Sequence, residues 1–238
     1  MPSLAQSVSR RSLGVDLDRP VTSQWLDIAD RTRLPLPGLS LEPMQAIRGI
    51  GRYVSLHEPE FAGDALAQEI RLIQSRGYGL WLVQHVLNPG WIASAQLGAD
   101  LGGAARDNAL SVGYLPTCHL GLDLEGTVSK GTPVLDFVEA WAGEVSRSFP
   151  VVLYVGYDSG LTANDLYYGL DQVHLYWGAP GPWDVAIRHF ALRQGLTTTV
   201  GGFEVDPDRI EEDSLGGKLT WMIDPGAQSQ RVRDLGVS

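Results

Sequence analysis

Short apolar runs alternate with amphipathic stretches along this chain, and the alternation predicts strands and helices in turn. Residues 12–17, 46–54, 79–85, 120–126 and 151–156 read as strands, the last rich in β-branched side chains. Between them, residues 61–76 carry Ala62, Leu66, Ile70 and Ile73 on one helical stripe, with Gly77 as a stop signal. Residues 94–112 read as an Ala-rich helix. Residues 133–148 form the clearest one, with Val134, Phe137, Val138, Trp141 and Val145 on its apolar face and Pro133 in its first turn. A short helix over 162–169 leads to a sixth strand at 172–177. The rhythm then shortens: 189–194 and 200–206 read as strands without long helices between them, and 218–223 as a last strand.

Strands alternating with helices imply a parallel sheet. The expected fold is α/β: a single TIM-like (β/α) barrel of five βα units followed by three strands with reduced helices. It spans all 238 residues as one domain. Residues 1–11 are expected to be a flexible N-terminus, 211–238 a C-terminal extension, and 32–43 the longest irregular stretch.

The segment Leu120-Gly-Leu-Asp-Leu-Glu-Gly126 concentrates the chemistry. Side chains of a strand alternate between faces, so Asp123 and Glu125 share one, with Cα atoms roughly 6.6 Å apart. Two carboxyl groups that close do not both keep ordinary pKa values. One that stays protonated and one that stays ionised form the pair used in glycoside hydrolysis. For an isolated D-x-E, a solvated strand end is the better account.

In β/α barrels the site lies at the C-terminal ends of the strands. On the predicted strands that end carries Asp16, Arg52, Gln84, Asp123 with Glu125, Tyr154, Tyr176 with Trp177, Gln194 and Asp206. A capping or surface role accounts for any one of them. Four acids converging on one mouth needs another explanation, because clustered carboxylates repel. Arg52, ending an apolar strand, is expected to reach into the mouth and pair with an acid. Trp91, on a loop after the third strand, is the best candidate for a second sugar-stacking platform. The other tryptophans, Trp183 among them, are core or rim residues by default.

The composition narrows the classes. A net charge of −10 and the absence of any basic run argue against nucleic acid and anionic membranes as partners. No apolar stretch is long enough to span a membrane. Cys118 is the only cysteine, which excludes an internal disulfide and a cysteine-based metal site. The histidines, from His57 to His189, lack metal-ligand spacing, and no G-x-S-x-G elbow is present. Gly98 to Gly103 lies inside a helical pattern, which argues against a phosphate loop. No metal or organic cofactor is expected. Ser9-Arg10-Arg11-Ser12 faintly suggests a twin-arginine export signal, but charged residues follow where an apolar region is required, so no signal peptide is expected.

Leu13-Gly-Val-Asp16, Leu122-Asp-Leu-Glu125, Val152-Leu-Tyr154 and Gly201-Gly-Phe-Glu-Val-Asp206 occur in the order seen in family-25 glycoside hydrolases, the bacterial and phage lysozymes. With Arg52-Tyr53 and the Ala-rich helix before the acidic strand, the chain resembles most their relatives called glycoside-hydrolase-like domains of unknown function. The resemblance runs from about Gly14 to Ile210. It implies a peptidoglycan-cleaving, muramidase-like hydrolase with Glu125 as general acid. Asp123 would stabilise positive charge or orient the substrate acetamido group. Asp16 and Asp206 would hold the floor, and Tyr176 and Trp177 would offer an aromatic face to a sugar ring. Glu125 is expected to have a raised pKa, and Asp123 to stay ionised through backbone hydrogen bonds. The alternative is a non-catalytic glycan-binding or structural module, such as a phage tail or virion component with other virion proteins as partners. The absence of an export signal fits a phage protein carried in the particle or released on lysis.

Overall fold

Eight strands close into a barrel in this computed structural model, which describes residues 2–39, 42–56, 63–85, 87–181 and 184–234. Phe61 and Ala62 of the first predicted helix, His57 and Trp183 lie outside them. In chain order the elements are β1 (Leu4–Ser7), β2 (Ser12–Leu17), α1 (Ser23–Ala29), β3 (Arg33–Leu34), β4 (Gln45–Val54), α2 (Ala67–Ser75) and β5 (Gly79–Gln84). Then come α3 (Ala95–Ser111), β6 (Leu120–Leu124), α4 (Thr132–Val145), β7 (Val151–Val155), α5 (Ala163–Tyr168) and β8 (Leu175–Gly178). The chain ends with β9 (Leu192–Gln194), β10 (Thr198–Val200), β11 (Phe203–Ile210), β12 (Thr220–Ile223) and α6 (Pro225–Asp234). Around the barrel the order is β2, β4, β5, β6, β7, β8, β9, β11 and back to β2. All neighbours are parallel except β11, which runs antiparallel to both β9 and β2.

The expected α/β barrel is the observed fold. The expected strand over 200–206 is instead a hairpin. Val200 pairs with Phe203 across Gly201-Gly202, whose φ values of 59° and 81° suit the tight turns that right-twisted strands favour. The N-terminal residues are not free: β1 pairs with β12, and β12 meets β5 at Met222–Leu80. Together they close the end of the barrel where the parallel strands begin. The Trp221 indole lies there over Gly49 and Gly79, where any Cβ would run into the ring. One layer higher, Trp81 fills the space left by Gly14 and Gly51 and meets Trp177 edge-on, with ring centroids 6.2 Å apart. These large indoles make the lower barrel a packed core and leave the polar residues to its upper end.

Outside, α3 and α4 pack backbone to backbone. A Cβ at Gly98 would strike the carbonyl of Phe137, and one at Gly102 would lie 2.5 Å from that of Trp141. The glycines of this segment therefore serve helix packing. Gly103, one position on, faces open space. Gly98→Ala is expected to lower the melting temperature by on the order of 5 °C, through overpacking worth roughly 1–3 kcal/mol. Gly103→Ala should leave it unchanged or raise it, because alanine is the better helix former. Equal melting shifts for the two variants would contradict this account. No helix among the described residues is long and apolar enough to cross a membrane.

Candidate active site

The upper end of the barrel gathers Asp16 from β2, Tyr53 from β4, Asp123 from β6, Tyr154 from β7, Gln194 from β9, and Asp206 and Asp208 from β11. Register aligns them: Asp16 lies beside Asp206, Asp123 beside Tyr154, and Asp208 beside Gln194. Because β11 runs the other way, it delivers its acids from its fourth and sixth of eight residues. Glu125 follows β6 at the rim, half-buried, with its carboxyl against Gly156, where a Cβ would clash with it.

Hydrogen bonds tie these groups together. Asp16 Oδ1 accepts from the Tyr53 hydroxyl at 3.1 Å and Oδ2 from Gln194 Nε2 at 3.2 Å. Tyr154 donates to Gln194 Oε1 at 2.8 Å, so one amide links a phenol and a carboxyl group. Trp177 Nε1 donates to Asp208 Oδ1 at 2.7 Å, and Thr197 Oγ1 to Asp206 Oδ1 at 2.5 Å. Tyr53 also stacks on His85, with ring centroids 4.4 Å apart, and His85 Nε2 lies 3.0 Å from Asp64 Oδ1.

The electrostatics favour protons here. Burial, then the neighbouring charge of Asp206, pushes Asp16 up to about 7, against hydrogen bonds from Asp208, Gln194 and Tyr53. Asp123 is held well above the ordinary carboxylate range by burial, Glu125 and Asp16. Burial raises Glu125, with Asp206 adding to it, while a backbone hydrogen bond from Tyr157 opposes the shift. Asp206 is raised by burial, and Thr197 opposes. The expectation for Asp123 is corrected. Among the described residues no backbone donor holds its charged form and its Oδ1 has no hydrogen-bond partner, and burial makes the neutral acid the favoured state.

A folded-state pKa above the unfolded one stabilises the protein at low pH, and that contribution is lost as pH rises through the folded value. For Asp16 the loss falls between about 4 and 7. Relative to Asp16→Asn, the wild type is therefore expected to lose on the order of a few kcal/mol of stability as pH rises from 4 to 8. Thermal unfolding across pH measures it. A difference between wild type and variant that stays constant from pH 4 to 8 would count against the burial argument.

Three expected mouth residues point the other way. Arg52 is fully buried against the helix layer. Its Nε pairs with Glu69 of α2 at 2.6 Å, and its other nitrogens donate to the carbonyls of Leu17 and Gly63. It does not pair with a mouth acid; its neighbour Tyr53 does. Gln84 bonds the carbonyls of Ser55 and Leu101 and accepts from Trp141 Nε1. The Tyr176 hydroxyl is bound to the carbonyl of Leu166, again under the helices. Adjacent residues of a strand face opposite ways, so each error is one of parity. Trp177 does face inward but is 1% exposed and offers no open face to a sugar. Trp91 packs on Phe137, ring centroids 4.8 Å apart, and its Nε1 holds the Glu125 carbonyl at 2.8 Å, so it props the acid's backbone. Asp208 and Tyr53 are the site residues that sequence reasoning missed. Period-2 spacing from Asp206 through Asp208 to Ile210 is the signal for the first.

The chain matches no family model, and no curated protein is similar to it in sequence. Its fold is similar to that of a Tat-secreted protein of Mycobacterium tuberculosis solved with L-tartrate, with a TM-score of 0.60 at 12% identity over 87% of this chain and 98% of that one. It is also similar to a glycosyl hydrolase 25 of Streptococcus pneumoniae that takes part in host cell invasion: TM-score 0.55, 14% identity, 94% and 92% covered. A modular autolysin of the same bacterium, solved with a synthetic peptidoglycan ligand, gives 0.52 at 11% identity over 88% of this chain and 46% of that one. At these identities the likeness is one of fold.

Proposed function

We propose that this protein is a lysozyme-like glycosidase that cleaves cell-wall glycan, with Glu125 as the general acid. The observation that carries the reading is the convergence of four buried or half-buried acids around Glu125 at one end of the barrel. The fold shared with a glycosyl hydrolase 25 and a peptidoglycan-binding autolysin supports it.

Glu125 stands at the rim with a raised pKa, the state a proton donor to a leaving-group oxygen needs. Asp123 lies deeper on the same face, and its Oδ1 has no partner among the described residues. A substrate acetamido N–H supplies that missing donor, which orients the sugar and favours the ionised form of Asp123 as positive charge develops. Asp16, Tyr53 and Gln194 form the floor that fixes the acids' spacing, and the carboxyl chemistry itself uses no cofactor.

The test is digestion of purified peptidoglycan from several wall types, with released reducing ends counted and the new end identified. Muramic acid at the new reducing ends is the expected result. A protein that binds the wall and releases no ends from any of them is the non-catalytic glycan-binding module instead.

A further inference from the structure

Asp208 has no part in the reaction just described, yet it is 0% exposed and points into the barrel between Gln194 and Asp16. Its Oδ1 accepts from Trp177 Nε1, and its Oδ2 meets no donor among the described residues. It lies within hydrogen-bonding reach of Asp16. Two carboxylates have no donor between them, so this contact requires a proton. Asp16 already takes one neutral donor on each oxygen, which favours its charged form. The vacant Oδ2 of Asp208 is the place left for the proton. Burial and the charge of Asp16 act on Asp208 in the same direction.

We propose that Asp208 is a positioning residue: a carboxylic acid that keeps its proton at neutral pH and donates it as a hydrogen bond to Asp16. Once Asp16 itself loses its proton, near pH 7, it is fixed as an oriented anion by three donors, Tyr53, Gln194 and Asp208. The other titratable groups facing this pair are Asp206 on the same strand, Asp123 on β6 and Tyr154 on β7, with Glu125 beyond them at the rim. That anion beneath Asp123 favours the neutral state in which Asp123 awaits a donor. This last consequence rests on the proposed glycosidase reading; the protonation of Asp208 does not.

Two measurements test it. In the first, carboxyl-carbon NMR of protein labelled at aspartate follows the pair directly, without substrate. The wild type should show an aspartic acid at position 208, assigned by its loss in Asp208→Asn, that stays protonated at pH 7. The variant should reduce the pair's two-step titration to one step. An Asp208 signal that titrates in the ordinary carboxylate range would overturn the proposal. In the second, wall digestion compares Asp208→Leu with Asp208→Asn. The leucine variant removes the donor and should lose on the order of 10²-fold in rate. The asparagine variant accepts from Trp177 and donates to Asp16 permanently, so it should recover most of that loss. Equal loss in both folded variants would also overturn it. A wild type that digests no wall removes the glycosidase reading, and the NMR result then decides this one alone.

Discussion

Glu125→Gln is expected to cut the release of reducing ends from purified walls by about 10³-fold, within the range that general acid catalysis contributes. Glutamine keeps the shape, the backbone hydrogen bond from Tyr157 and the contact with Gly156, and it lacks only the proton. Wall binding should therefore stay within a few-fold of wild type. The same reasoning gives a pH dependence. A general acid works only while protonated, so activity should fall as pH rises through the raised pKa of Glu125. A Glu125→Gln variant that digests walls at the wild-type rate would remove Glu125 from the chemistry.

Arg52→Leu is expected to have the largest effect on stability. Both partners of the Arg52–Glu69 pair are buried, with side-chain exposures of 0% and 6%. Glu69 Oε1 also accepts from the Val21 amide at 2.7 Å. Removing the guanidinium strands a buried carboxylate, a change that costs about 3–5 kcal/mol. The melting temperature should fall by on the order of 10 °C. Replacing Glu69 by leucine as well should restore part of the loss, because no charge then remains uncompensated. An Arg52→Leu variant with an unchanged melting temperature and reduced wall digestion would place the arginine in the mouth after all.

The strands and the long helices were legible because their periods differ and their apolar faces are long. Which face of a strand looks inward was much less legible. Every residue of β5 is buried, so its hydropathy does not alternate and Gln84 is as plausible inside as outside. The same holds across Arg52 and Tyr53. There the glycines at 49 and 51 mark the inward face, since a side chain at either would run into Trp81 or Trp221. Asp208 was hidden by Pro207, which reads as the end of a strand because it lacks an amide donor. In the structure β11 continues through it to Ile210. The acids at positions 16, 123, 125 and 206 were legible because each ends or follows an apolar run, where a charge stands out. Their shared preference for protons was not, since it comes from burial that only the closed barrel creates.

The floor formed by β1, β12 and α6 has a consequence for handling the molecule. β1 starts beside the end of β12, with Leu4 paired to Ile223, and α6 continues beneath the barrel, where Ala227 lies against Gly77 and Arg231 Nη2 reaches the Ile47 carbonyl at 3.1 Å. Both ends of the described chain thus emerge on the side away from the acids. A bead, a fluorophore or a second polypeptide joined at either end would hang below the barrel and leave the mouth facing outward. Immobilised through either terminus, the protein would present its acids to an insoluble polymer in the same orientation.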